Sequence, residues 1–561
     1  MTTHTTTDAH PGAFTRTNNA ILARPRTTAL VAGIVSATGF APLSLWPLTI
    51  VSYALLIALI ARAPTWKQAF VIGWLFGFGQ FTLGNNWIAT AFTYQAAMPA
   101  WLGWLAVVAL SIYLAIYPAL ATLVAWLFTK FLPETGRGTA AGGGGVAGWP
   151  TWPLVLAFAA MWIVTEWLRS WVFTGFVWNP LSVILVTPGM ADYAKWLGTY
   201  GLSGIVILFA GVLVARGHKP RNRPHYAIIL TGSAVIGFLA FFPFRKGTET
   251  GTISVTVVQP NIPQETKADP AFDALNWTKL ARLSGSTDSA QPRLLLWPEA
   301  AIPDFLEDGY PARYYDMVNL GGGSAMQSRE RLASLLGPGD LLVTGSADLE
   351  IGDGPGGPHA IGARNSVTVL TPDAKIIGSY DKAHLVPYGE YLPMRPLLSA
   401  IGLSRLVPGD LDFWPGPGAR TLDLPNFGKM GVQICYEMIF SGRVVDRAHR
   451  PDFIFNPSND AWFGAWGPPQ HFAQARLRAI EEGLPVIRST PTGISGIIDA
   501  DGRVVDSIAM GKAGRIDATI PPPHAPTLFA RHGNILPLLF AVLLLLLAYL
   551  PTLRRTGRKN S

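Results

Sequence analysis

The sequence predicts a polytopic α-helical membrane bundle of eight spans, with an α/β domain inserted between the seventh span and the last. Three observations carry this. Of 561 residues, 49% are hydrophobic and only 14% charged; apolar runs recur through the first part of the chain and again at its end; and the region between them alternates short β-rich runs with helical segments. The first marks a chain written largely for a bilayer, the second sets the number of spans, and the third is the pattern of a layered α/β fold.

The apolar runs lie near residues 28–45, 47–62, 68–89, 100–129, 153–172, 196–215, 226–243 and 534–550. Most approach the roughly 20 residues that cross a hydrocarbon core. Residues 1–26 are polar and Thr-rich, with Arg16, Arg24 and Arg26, a composition that buries no core and reads as a disordered cytoplasmic tail. The first run has no clear small-residue cleavage site and is followed closely by others, so it reads as a retained helix. Lys and Arg stay on the cytoplasmic side, and eight spans put both termini there. Arg62 and Lys67 follow span two, Lys130 and Arg137 span four, Arg216, Lys219, Arg221 and Arg223 span six, and Arg554, Arg555, Arg558 and Lys559 span eight. The net charge of +8 is therefore read as topology and not as nucleic-acid binding. Residues 27–244 form the expected seven-helix region, 245–530 an extracytoplasmic domain, and 531–561 the eighth helix with a basic cytoplasmic tail. In a bacterium this is a multi-pass protein of the inner membrane.

Three connecting features stand out. Gly136 to Gly148 lacks the Gly-Lys-Ser/Thr end of a phosphate loop and no strand precedes it, so it reads as a linker. Glu166 and Arg169, three apart in span five, are either functional intramembrane charges or a helix-end ion pair. Phe173 to Pro180, with Trp178, is expected as an outer or re-entrant loop at headgroup depth, in reach of a lipid substrate.

Within the α/β region, strands are expected at Ile253–Val258, Arg293–Trp297, Leu341–Gly345, Ser366–Leu370, Lys375–Tyr380, Gly431–Ile434, Phe453–Asn456, Val486–Ser489, Gly493–Asp499 and Val504–Ser507. Helices are expected near 271–284, 311–335 and 469–483. Reactive residues of such folds collect at strand ends. Three segments present one there: Leu294 to Leu296 leads through Trp297 and Pro298 to Glu299, Tyr380 and Asp381 lead to Lys382, and Gly431 to Ile434 leads to Cys435.

Cys435 is the only cysteine, so no intramolecular disulfide forms, and no CxxC or Cys/His cluster has zinc spacing. Neither metal nor cofactor is expected. A lone cysteine is by default a small buried hydrophobe. Alongside a carboxylate and an amine it becomes a nucleophile for acyl transfer: Glu299 supplies a base, and Lys382 with the main-chain N–H after the nucleophile supplies an oxyanion site.

Trp297-Pro298-Glu299, Lys382-Ala383-His384-Leu385-Val386-Pro387-Tyr388-Gly389-Glu390 and Ile434-Cys435-Tyr436-Glu437 resemble the Glu, Lys and Cys motifs of the nitrilase superfamily, and more specifically of its membrane-embedded apolipoprotein N-acyltransferase branch. Asn456-Pro457-Ser458-Asn459-Asp460-Ala461-Trp462-Phe463-Gly464, Gln470-His471-Phe472 and Ala475 to Ala479 resemble that family's segment after the nucleophile, and Thr527 to Asn534 its lead into the last helix. Thr490-Pro491-Thr492-Gly493 departs from it where an Asn-rich turn is expected. The resemblance implies a nitrilase-like αββα sandwich with Glu299 as base, Lys382 as oxyanion stabiliser and Cys435 as nucleophile. Glu390 and Glu437 would be supporting carboxylates or internal ion pairs, and Tyr436 a site-shaping neighbour. His384 and His471 are taken as structural. Trp297, Tyr388, Trp462 and Phe463 are the expected substrate contacts, the last three on apolar loops at Val386–Leu392 and Ala461–Pro469. The implied reaction moves an acyl chain from a membrane phospholipid, through a thioester, to the amine of a diacylglyceryl-modified apolipoprotein, with the enzyme a monomer. A membrane-anchored amidase and a non-catalytic transporter or scaffold are the alternatives.

Overall fold

The computed structural model describes residues 23–94, 99–132, 150–215, 249–267, 269–285, 291–354, 357–400, 405–406 and 411–556. The expected span at 226–243, the linker at Gly136 to Gly148 and all but the end of the tail at 1–26 lie outside them.

The first helices are α1 (Pro25–Ala37), α2 (Trp46–Arg62), α3 (Trp66–Gly84), α4 (Leu102–Leu114), α5 (Ile116–Phe131), α6 (Trp152–Leu168) and α7 (Ala194–Val214). By length and composition, Leu102–Phe131 and Ala194–Val214 are able to cross a membrane, whereas Trp46–Arg62, Trp152–Leu168 and Ile535–Leu550 are shorter apolar helices. Packing runs from α1 to α3, α3 to α5, α5 to α6 and α6 to α7. Where α1 meets α3 the backbones approach closely, since a Cβ on Gly33 would stand 2.0 Å from the Phe76 carbonyl oxygen. Small residues at such crossings bring helices together where no hydrophobic drive exists.

The α/β region forms two six-stranded sheets. One contains β1 (Ser254–Gln259), β2 (Leu294–Leu296), β3 (Leu341–Gly352), β4 (His359–Leu370), β5 (Ile376–Asp381) and β12 (Gly514–Thr519), in the order β12-β1-β2-β3-β4-β5. The other contains β6 (Thr421–Leu424), β7 (Gly428–Val432), β8 (Phe453–Pro457), β9 (Val486–Ser489), β10 (Ser495–Ile498) and β11 (Val504–Ile508), in the order β11-β10-β9-β8-β7-β6. Each sheet has a parallel centre, β1-β2-β3 and β7-β8-β9, flanked by antiparallel strands.

Strand alternation places the layers. Leu294, Leu296, Met430, Val432, Phe453 and Phe455 join one core between the sheets. Leu295, Trp297, Leu342 and Leu370 face the other way, with Leu280 of α8 (Asp273–Leu283) and Leu332 beyond it. Ile454, Val486 and Ile498 likewise pack with Ala475 and Ala479. The result is an αββα sandwich, as the motif resemblance implies. The helix expected at 311–335 is two, α9 (Ala312–Val318) and α10 (Ala325–Ala333), because Gly321 and Gly322 between them have φ of 81° and 68°. The helix expected at 469–483 is α11 (Gly467–Glu482), closed by Gly483 in the left-handed conformation.

The last helix, α12 (Ile535–Thr556), returns to pack on α6 and α7. The sandwich also locks onto α7. The buried Glu481 of α11 accepts the Thr199 N–H at 2.5 Å, the Thr199 hydroxyl at 2.6 Å and the Ser441 hydroxyl at 2.8 Å.

Candidate active site

Glu299, Lys382 and Cys435 come from different strands and meet where the two sheets face each other. Trp297 continues β2 through a hydrogen bond from its N–H to the Val343 carbonyl (2.9 Å), and just after Glu299 the chain turns at Ala300, whose φ is 44°. Lys382 follows β5, its N–H held by the Asn365 carbonyl at 2.9 Å. Beyond β7, Gln433 keeps the sheet bond to Phe455 at 2.9 Å, and then the chain breaks into a tight turn with Cys435 at φ 51°. A non-glycine residue in that region costs on the order of 1–3 kcal/mol and is retained where the surroundings over-determine it. Here the turn aims the cysteine side chain into the junction of the sheets.

The charges form one connected network. Lys382 Nζ donates to Glu390 Oε1 at 2.9 Å and to Glu299 Oε1 at 3.4 Å. Asn365 Nδ2 donates to the same two oxygens, at 3.0 and 2.7 Å. The Asn459 N–H, from the loop after β8, donates to Glu299 Oε2 at 2.6 Å and so ties Glu299 of one sheet to the other sheet. Burial disfavours the Glu299 carboxylate, but Lys382, Asn365, Lys267 and Asn459 outweigh it and hold its pKa below the usual value. Burial also works against the Lys382 ammonium, and Glu390, Glu299 and Cys435 together reverse that, so the lysine stays charged. The Cys435 thiol is pushed strongly upward, first by burial and then by the Glu299 charge, against the pull of Lys382. The resting arrangement is thus a thiol beside a carboxylate and an ammonium.

Glu390 and Glu437 divide the supporting work. Glu390 makes the ion pair with Lys382 and receives the Val386 N–H on its other oxygen at 2.8 Å. Glu437 instead accepts the N–H groups of Ala383 (2.8 Å), His384 (3.0 Å) and Ile434 (2.7 Å) and the Tyr380 hydroxyl (2.8 Å), pinning the lysine loop to the nucleophile turn. Burial raises Glu437 to about 7 against those bonds. The Tyr436 hydroxyl donates to the Gly175 carbonyl at 3.0 Å, fastening the nucleophile turn to the segment after α6.

Several expectations are corrected. Trp297 does not reach the junction: it is fully buried on the helix-facing side, its Nε1 bonded to the Ser284 hydroxyl at 2.8 Å and its ring near Trp277. Trp297→Leu is expected to lower the thermal unfolding midpoint, measured by calorimetry, without displacing any group at the junction. Phe463 is not a free lipid contact either. It is buried against Trp87 and Trp178, with ring centroids 4.7 and 5.5 Å away. Trp178 itself is wholly buried, donating to Gln470 Oε1 at 2.7 Å, so the expected headgroup-depth loop is a wedge between bundle and sandwich. Its neighbour Phe173 is exposed. Trp462 is half-buried against Tyr94, and Tyr388 is about half exposed. Glu166 and Arg169 anchor the same wedge: Glu166 receives the Leu181 N–H at 2.8 Å, and Arg169 donates to the Trp178 carbonyl at 3.2 Å.

Other residues gain a place that the motifs alone left unassigned. Asn365 bridges both carboxylates from mid-strand, and its place between Arg364 and Ser366 gave no signal in the sequence. Asp460 is held well below the usual carboxylate range, where Arg488 and His471 overcome its burial. Arg488 donates to both Asp460 oxygens at 2.7 Å, and His471 lies 3.0 Å from Asp460 and 3.1 Å from the Cys435 carbonyl. His471 therefore braces the main chain at Cys435. His384 packs on Phe440, and burial lowers it to about 4.

Two opposed sheets with a carboxylate, an amine and a thiol at their junction define a nitrilase-superfamily domain, and residues 254–525 match the carbon-nitrogen hydrolase family model. Residues 32–212 match the apolipoprotein N-acyltransferase N-terminal domain. The apolipoprotein N-acyltransferase of Rhodopseudomonas palustris is 32% identical over 93% of this chain and 94% of its own, and that of Bradyrhizobium diazoefficiens 33% identical over 95% of each. The chain belongs to the apolipoprotein N-acyltransferase family. Among solved structures, an amidase from Nesterenkonia sp. aligns with 49% of this chain and 92% of its own at 18% identity and a TM-score of 0.30, too low to argue from.

Proposed function

We propose that the protein transfers an acyl chain from a membrane phospholipid to the free N-terminal amine of a diacylglyceryl-modified apolipoprotein, through a thioester on Cys435. The observation that carries this is the Glu299–Lys382–Cys435 junction, in a domain wedged directly onto an apolar helical bundle. The thiol attacks the donor ester carbonyl as its proton passes to Glu299, and Lys382 with the N–H following the nucleophile steadies the oxyanion. Collapse of the adduct expels the lysophospholipid alkoxide, which takes the proton from Glu299. The neutral acceptor amine then attacks the thioester, gives its proton to Glu299, and releases Cys435, which is reprotonated. Glu390 keeps Lys382 charged and aimed, and Glu437 and Tyr436 hold the turn. Two chemically simple steps replace one transfer between lipids, which implies ping-pong kinetics.

The proposed setting is the bacterial inner membrane, with eight spans, residues 27–244 and the last helix embedded, 245–530 outside, both termini cytoplasmic, and a monomer as the working unit. The apolar helices Leu102–Phe131 and Ala194–Val214 and the loop charges support it. Tyr388 and Trp462 are the proposed lipid contacts.

The test is transfer of label from an acyl-labelled phospholipid to a diacylglyceryl lipopeptide by the purified full-length protein. Labelled triacylated peptide with one lysophospholipid per turnover is the expected result. Release of ammonia from small amides without lipid transfer would replace this reading with an amidase.

A further inference from the structure

A second cation stands at the same junction, outside the three motifs. Lys267 closes the short helix Gln264–Lys267 that follows β1. Its Nζ donates to the main-chain oxygen of Glu299 at 2.8 Å. Gln264, at the start of the same turn, receives Asn459 Nδ2 at 3.0 Å, and the Asn459 N–H is the donor that holds the Glu299 carboxylate at 2.6 Å. This one turn therefore grips Glu299 twice, at its carbonyl through Lys267 and at its carboxylate through Asn459. The grip falls where the chain reverses at Ala300 with positive φ, a place that needs external support.

The charges facing Lys267 are the Glu299 carboxylate and the Cys435 thiol, from the first and second sheets. Lys382 and Glu390 lie across Glu299 from β5 and the loop beyond it. On its own turn, Glu265 acts on Tyr94. Lys267 is thus the ammonium that shares Glu299 and Cys435 with Lys382 but has no carboxylate bonded to it among the described residues.

We propose that Lys267 is a positioning residue for acylation, fixing the Glu299 peptide and supplying a second positive charge to the anion that passes between Cys435 and Glu299. This rests on the reading of those two residues as nucleophile and base. Lys382, tied to Glu390, cannot follow that charge as it moves, whereas Lys267 is held only through a neutral carbonyl.

Burial lowers Lys267 to about 8, against the opposing pull of Glu299 and Cys435. Loss of its proton removes positive charge beside two groups that must carry negative charge, so acylation should fall as pH rises through that value. The acylation half-reaction isolates this, because no acceptor amine is present to titrate.

The experiment uses the full-length protein in detergent micelles with phosphatidylglycerol carrying a fluorescent acyl chain. Single-turnover thioester formation is followed from pH 6 to 10. Wild type should show an alkaline limb near pH 8. Lys267→Arg, charged across the whole range, should move the limb upward by more than about one unit. Lys267→Gln should lose about 10²-fold at neutral pH and show no limb there. A Lys267→Gln protein with the wild-type unfolding midpoint and an unchanged profile would overturn the inference, and if that variant does not fold, an unmoved limb in Lys267→Arg does so. Neither result touches the nucleophile, which is judged separately: undiminished lysophospholipid release by Cys435→Ser would overturn the underlying reading itself.

Discussion

Incubation of the full-length protein with phospholipid is expected to leave one acyl adduct on Cys435, removed by hydroxylamine and absent from Cys435→Ser. The reason lies in the ground state described above. The thiol is held protonated by burial and by the Glu299 charge, so the site relies on a nucleophile that attacks well as its proton leaves. A serine hydroxyl in the same place is a poorer nucleophile with a higher intrinsic pKa, and burial raises it further. Transfer should fall by at least about 10³-fold, as it does when one member of a unit that acts together is removed. The variant should fold, since one oxygen replaces one sulfur in a turn fixed by main-chain bonds to Glu437 and by His471. Intact-protein mass spectrometry reads the outcome, and an equal adduct in Cys435→Ser would remove the cysteine from the mechanism.

Lys382→Met is expected to damage both folding and chemistry. Glu299 and Glu390 are each only about 5% exposed and share this ammonium. Removing one partner of a buried ion pair leaves uncompensated charge and costs about 3–5 kcal/mol. The Glu299 carboxylate, no longer held down by Lys382, should then shift upward, so part of the deficit in thermal stability should be recovered on acidification as it becomes neutral. Adding Glu390→Gln to Lys382→Met should recover part of the stability, because one of the stranded charges is gone, without recovering thioester formation. That split separates the structural ion pair from the oxyanion site. Equal recovery of both would mean that Lys382 contributes to the reaction only by holding the fold together.

Ten strands expected from alternation and turn residues are present, most with small boundary shifts, while β3 runs on to Gly352 and β4 starts back at His359. β6 and β12 were not legible. Thr421–Leu424 is four residues at a sheet edge, and Gly514–Thr519 mixes glycine, arginine and aspartate with a single buried apolar side chain, Ile516. Both are formed by pairing with neighbours, at Met430 and Val257 for example, and little in their own composition demands it. The three proposed reactive residues were legible through their motifs, Trp297 to Glu299, Lys382 to Glu390 and Ile434 to Glu437, each set beyond a strand. What failed was orientation. Trp297 shares the parity of Leu295, and that face turns to the helices, so the period of two already contained the answer once the outward face of β2 was known. Phe463 failed for another reason: its partners, Trp87 and Trp178, lie hundreds of residues away, and no local pattern announces such a contact.

The wedge between bundle and sandwich also bears on where this enzyme begins and ends. The hydroxyl of Tyr436, next to the nucleophile, is held by Gly175, and the ring of His471, which braces the nucleophile carbonyl, rests 5.2 Å from Trp178. Both supports belong to the chain before residue 245, so a boundary drawn there divides the polypeptide without dividing the catalyst. The soluble-looking half is not a portable module. Grafted onto another anchor, or made alone, it would keep all three reactive side chains and lose two of the supports that set their geometry.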